Sequence, residues 1–147
     1  MTYHHILVPV DGSKISFSAV QHAAKIAQAF NSQLTLISLI AEDPFTGADF
    51  YYSSAIMKEY FIEAEANAKK ALTEALSLAT ALGAHAETEI IRGAVSAEGI
   101  IETAHKLNAD LIVMGSHGRK GFQKFLLGSF AQDVLGSSEL PVLIIKA

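Results

Sequence analysis

Cysteine is absent from all 147 residues. That one absence excludes disulfides, thiolate nucleophiles, thiolate zinc sites and cysteine-ligated iron–sulfur clusters. No apolar stretch approaches the roughly 20 residues needed to span a bilayer, and the opening MTYHHILVPVDGS lacks the basic-then-apolar order of a signal peptide. A cytoplasmic protein is expected. Positive charge is also scarce: 11 Lys and Arg stand against 15 Asp and Glu, a formal charge of -4. No segment gathers enough cations for a nucleic-acid footprint, so nucleic acid and membrane are not expected partners. Half of the residues are hydrophobic, sufficient to bury the core of one domain spanning residues 1–147.

The apolar residues are arranged in short blocks. His5 to Val10 (HILVPV) and Gln33 to Ile40 (QLTLISLI) read as strands buried on both faces, as do Asp110 to Met114 and the terminal PVLIIKA. His85 to Ile91 (HAETEII) alternates like a more exposed strand. Helical spacing occupies Ser16 to Phe30, with Ser13 and Ser16 as capping candidates, then Ile56 to Leu82, ended by Gly83, and Ser96 to Leu107. A last helix is expected from about Ser129. Residues 42–54 show no clear period and read as a loop or a lid. Strands alternating with helices predict an α/β three-layer sandwich, an open five-stranded parallel sheet with helices on both faces and right-handed crossovers. Ligands of such sheets lie beyond the carboxyl ends of the strands where the strand order reverses. The order 3-2-1-4-5 would bring Asp11, after strand one, and Gly115, after strand four, to one crevice.

The loop after strand four, GSHGRKGFQKFLLGS, holds most of the chemistry. Its glycines allow successive backbone N–H groups to converge on an anion. The Gly128-Ser129 pair opens a helix whose first N–H groups form a second anion site, with Ser129 as the expected cap. Arg119, Lys120 and Lys124 add positive charge. The plain alternative is a glycine-rich turn without a ligand. The loop is neither a P-loop nor the G-x-G-x-x-G dinucleotide fingerprint. Its spacing is Gly115, two residues, Gly118, nine residues, then Gly128-Ser129. His117 invites a catalytic reading, but without a second ligand or base at suitable spacing it reads as a polar loop residue.

This spacing, the V-P-V-D-G-S loop within His5 to Ser13, and the S-x-x-P-V-L-I-I ending at Ser138 to Ile145 together resemble the ATP-binding branch of the universal stress protein family. The resemblance covers essentially the whole chain. It implies an adenine-nucleotide alpha-hydrolase-like fold and a site for ATP, with Mg²⁺ or Mn²⁺ carried mainly by the phosphates. It puts Pro9, Val10 and Asp11 beside the adenosine, Leu39 against the base, and Met114 and Gly115 near base and ribose. Ser116, His117 and Gly118 would enclose ribose and phosphates with Arg119 and Lys120 nearby, while Gly128, Ser129, Phe130 and Ala131 would hold the phosphates. It further implies a homodimer through Pro141 to Lys146. Asp11 has an equally good local role in an Asx turn, and Leu39 and Met114 as core residues. The expected function is a nucleotide-responsive regulatory protein with no assigned catalytic residue. The alternatives are a slow ATPase or nucleotide-dependent transferase, and a dimeric interaction module without nucleotide.

Overall fold

The computed structural model describes residues 2–42, 55–117 and 127–146. Five parallel strands, β1 (His5–Pro9), β2 (Gln33–Ala41), β3 (His85–Gly93), β4 (Leu111–Gly115) and β5 (Val142–Ile145), form one sheet in the order β3-β2-β1-β4-β5. The helices are α1 (Lys14–Phe30), α2 (Ala55–Ala81), α3 (Ala97–Lys106) and α4 (Ser129–Ser137). The expected strand order is the observed one, and the reversal point lies between β1 and β4.

The period of two along each strand divides the interior into two cores. Ile6 and Val8, Leu34 and Leu36, and Leu111 and Val113 face α1 and α2. Leu7, Ile37, Ile112 and Met114 face α3 and α4. Burial of one such aliphatic side chain contributes about 1.5–3 kcal/mol. The buried surface of α1 is mostly alanine, with Ala19, Ala23, Ala24 and Ala27 at most 1% exposed, so the helix axis lies close to the sheet. Its start is fixed by Ser13, whose side chain accepts the Ser16 N–H, and its end by Asn31 in the left-handed region. The helix thus begins at Lys14, two residues earlier than the periodicity predicts.

The bounds of α2 and α3 differ from expectation by one residue at each end, and strand ends differ as well. β3 runs on to Gly93, where it pairs with Ala41, and β4 runs on to Gly115, which pairs with Ile145. Backbone pairing continues past the last apolar side chain, so hydrophobic pattern alone stops short. The β1–β4 register has its own anchor. The Asp110 carboxylate accepts the His4 N–H at 2.9 Å and the His5 N–H at 3.0 Å, and the Asp110 N–H donates to the His5 carbonyl at 2.9 Å. This clamp sits at the opposite end of the sheet from the crevice and fixes how far β1 and β4 project into it.

Candidate functional site

The crevice is assembled from the carboxyl ends of β1, β2 and β4. Pro9 ends β1, and the Val10 N–H still donates to the Ile37 carbonyl at 2.7 Å, tying the start of the first loop to β2. Asp11 is exposed, and its Oδ1 accepts both the Ser13 N–H at 2.8 Å and the Ser13 hydroxyl at 2.5 Å. Gly12 between them has φ +83°, a conformation that glycine adopts without steric cost. The Asx turn expected for Asp11 is present, and Asp11 in turn orients the Ser13 cap of α1. Its second carboxylate oxygen is not used by that turn, so the structural role leaves Asp11 able to accept from a ligand.

On the neighbouring strand, Met114 is buried in the α3/α4 core and Leu39 lies half-buried at its margin. Gly115 follows with little room for a side chain. A Cβ there would lie 3.0 Å from both Cγ1 and Cγ2 of Ile15, the second residue of α1. A glycine that looked like part of an anion nest thus also lets the start of α1 close down on the end of β4. Ile15, which sequence reading did not single out, is the partner in that contact. Ser116 is buried, with its N–H donating to the Ile145 carbonyl at 2.8 Å. Its hydroxyl lies 3.1 Å from His117 Nδ1, so the histidine's partner is its own neighbour in the chain.

The two halves of the loop motif meet here. The Gly128 N–H donates to the Ser116 carbonyl at 2.7 Å. A Cβ on Gly128 would lie 3.0 Å from that oxygen and 3.2 Å from both Cα and Cβ of His117. Glycine at position 128 is therefore favoured by close backbone approach. It also occupies the N-cap position, with φ −63° and ψ 154°, and no side chain caps the helix. The expected cap, Ser129, is instead the first helical residue. Extended backbone at Gly128 is what lets its N–H turn to Ser116, and the helix can begin only after it.

This bond changes the donor set. The Gly128 N–H is occupied within the protein, while the Gln132 N–H donates to the Gly128 carbonyl at 3.0 Å and closes the first turn. The N–H groups of Ser129, Phe130 and Ala131 precede that turn and have no helical acceptor. They stand at the positive end of the α4 dipole, which favours an anion. Ser129 is exposed and Phe130 half-buried, whereas the Ala131 side chain is buried in the core. Gly118, Arg119 and Lys120 lie outside the described residues, as do Gly121, Lys124 and residues 43–54. The structure thus brings together Pro9, Val10, Asp11, Met114, Gly115, Ser116, His117 and the Gly128-to-Ala131 helix start, with Leu39 one strand further along. Among the described residues no three His, Asp or Glu side chains gather as a metal cluster, and no helix is long and apolar enough to cross a membrane.

The profile of the universal stress protein family matches residues 2–146. A universal stress protein of Methanocaldococcus jannaschii is 36% identical over 144 residues, covering 98% of this chain and 82% of the relative. Among solved structures, a universal stress protein in complex with cAMP superimposes with a TM-score of 0.70 at 30% identity, covering 99% of this chain and 98% of that one. The universal stress protein from Archaeoglobus fulgidus in complex with dAMP superimposes with a TM-score of 0.72 at 25% identity, covering 99% and 100%.

Proposed function

The chain belongs to the universal stress protein family, and from that premise we propose that it binds an adenine nucleotide, ATP foremost, and serves in the cytoplasm as a nucleotide-responsive regulatory protein. The observation that carries this reading is the Gly128 N–H to Ser116 carbonyl bond. It holds the free donors of α4 beside the end of β4, at the sheet's reversal point, where open α/β sheets take their ligands. Structures of relatives in complex with cAMP and dAMP support the same ligand class.

The chemistry of the described residues supports a nucleotide. A Cβ at either crevice glycine would be crowded, at Gly115 by Ile15 and at Gly128 by Ser116 and His117, and the donors offered to a ligand are main-chain N–H groups. The N–H groups of Ser129, Phe130 and Ala131 bind phosphate oxygens, Asp11 accepts from the nucleoside, and Leu39 offers an apolar contact to the base. Gly128 contributes position rather than a donor. Gly118, Arg119 and Lys120 complete the phosphate cradle in this reading. A divalent cation, Mg²⁺ or Mn²⁺, is bound mainly by phosphate oxygens and water.

Two copies pair through β5 in this reading. The strand is a sheet edge with Leu143 37% exposed, and Leu135 of α4 is 42% exposed. Isothermal titration of the full chain with ATP, ADP, AMP and cAMP in the presence of Mg²⁺ tests the function. Saturable one-site binding of at least one adenine nucleotide is expected, and no heat from any of the four at high micromolar protein overturns it.

A further inference from the structure

We propose that Ser96, at the start of α3, is a specificity-determining residue for the nucleotide base, its hydroxyl accepting a hydrogen bond from the exocyclic amine of adenine. The inference rests on the nucleotide reading above and adds to it a residue at a helix start that the motif does not include.

Three observations converge on Ser96. Its Oγ is buried and is the one side-chain oxygen or nitrogen among the described residues that is buried without a hydrogen-bond partner. Buried polar atoms are ordinarily paired, and leaving one unpaired costs free energy. The hydroxyl also does not perform the obvious local task. Ser96 is the N-cap residue of α3 with extended backbone, φ −151° and ψ 167°, yet makes no side-chain capping bond. The Gly99 N–H is met instead by the Ser96 main-chain carbonyl at 3.1 Å. The residue itself is half-buried, so rotation about χ1 among its staggered wells can carry Oγ from the unpaired position toward the open side.

The second observation is contact with the base site. A Cβ on Gly99, in the first turn of α3, would lie 3.5 Å from Leu39 Cδ2 and 2.9 Å from the Ala94 carbonyl. The Ala94 carbonyl is what excludes a side chain at residue 99, and the ordinary van der Waals distance to Leu39 places the first turn of α3 beside the residue assigned to the base. The third is direction. Neighbouring strands are about 4.8 Å apart, and the order across the crevice is β4, β1, β2, β3. Phosphates at the start of α4, ribose over the ends of β4 and β1, and base against Leu39 of β2 describe a ligand laid across the strand ends. The purine edge farthest from the ribose, carrying N1 and the exocyclic amine, then faces the turn between β3 and α3. That turn presents Val95, 56% exposed, beside Ser96.

The experiment is a cycle between Ser96→Ala and the ligand's amine, using ATP and purine riboside 5′-triphosphate, which lacks that amine. The wild type is expected to bind ATP about 3- to 10-fold more tightly than the analogue, the range of one net hydrogen bond. Ser96→Ala is expected to bind both equally, at the level of the wild type with the analogue. Its melting temperature without ligand is expected to be unchanged or raised, because the hydroxyl makes no bond in the free protein. Equal loss of affinity for both ligands, or unchanged preference for ATP in the variant, overturns the proposal and leaves nucleotide binding standing. A lowered melting temperature with no ligand-specific effect assigns the hydroxyl to helix capping and also overturns it. A wild type that binds neither ligand overturns the nucleotide reading and this inference together.

Discussion

The Gly128 N–H and the Ser116 carbonyl, 2.7 Å apart, join the start of α4 to the end of β4. The bond is possible because residue 128 has no side chain: a Cβ would lie 3.0 Å from the Ser116 oxygen and 3.2 Å from two atoms of His117. Two of these three atoms are backbone, which cannot swing aside as a flexible side chain can. Gly128→Ala is therefore expected to push the α4 start away from β4, at a cost of about 1–3 kcal/mol, the usual range for overpacking. Thermal denaturation reads that cost. Nucleotide affinity should fall at least 10-fold, because the free N–H groups move with the helix. A stable variant with unchanged affinity contradicts this account of the motif.

Gly115 makes a different contact, tightest against a side chain, with the His117 carbonyl oxygen next at 3.3 Å from where a Cβ would stand. Cγ1 and Cγ2 of Ile15 both lie 3.0 Å from where its Cβ would stand, and Ile15 is buried and stiff at χ1. Gly115→Ala is expected to destabilise by about 1–2 kcal/mol through overpacking. Ile15→Val gives no relief, since valine keeps both γ carbons. Ile15→Ala removes them, so the double variant Gly115→Ala/Ile15→Ala should be more stable than the two single effects added together. Denaturant melts of the four proteins measure the coupling, and simple additivity would show that the contact is not what constrains residue 115.

Much of the fold was legible because two separate signals agreed. Apolar runs located the strands, and glycine with charge in the loops after strands one and four predicted the order that puts those loops together. What was not legible depends on contacts between distant segments. Ser129 reads as a helix cap from its residue type. Gly128 takes that position, where Ser116 and His117, eleven or twelve residues earlier, leave little room for a side chain. Gly115 reads as a nest glycine, yet its neighbour is Ile15, a hundred residues away. Ser96 is hidden for the opposite reason: a serine before a helix looks already explained by capping, and only the unpaired Oγ shows otherwise.

Asp11 and Ser13 should separate stability from binding. Ser13→Ala removes the side chain that accepts the Ser16 N–H at 3.2 Å and should cost about 1 kcal/mol, as for other N-caps. Asp11→Ala removes acceptors from an exposed turn, a loss of about 0.5–1.5 kcal/mol at most. It also removes the proposed nucleoside acceptor. The expected pattern is comparable melting temperatures for the two variants with a much larger loss of ATP affinity in Asp11→Ala. Equal affinities in the two variants would restrict Asp11 to its Asx turn.

The cation should follow the phosphates. In the proposed reading Mg²⁺ is held through phosphate oxygens and water. Chelation with EDTA is accordingly expected to weaken ATP binding more than ADP binding and to leave AMP nearly unaffected. Titrations of the three nucleotides with and without Mg²⁺ give the comparison. An equal effect on all three would point to a cation site made by the protein itself.

The proposed dimer can be tested without disturbing the crevice. β5 pairs with β4 alone, and Leu143 stands opposite Val113 in the middle of that pairing, away from the strand end that carries Gly115 and Ser116. An uncovered apolar edge favours pairing with a second strand. A two-fold axis across this edge makes the two β5 strands antiparallel and brings Leu143 of one copy beside Leu143 of the other. Leu143→Arg places like charges on both sides of that axis, so light scattering should change from a dimer to a monomer. Nucleotide affinity per chain should stay within about 3-fold of wild type, because a difference below about 0.65 kcal/mol is no more than an indirect effect between separated sites. Loss of binding on dissociation would instead make the partner copy part of the site, and a wild type that is monomeric at working concentration would remove β5 as the interface.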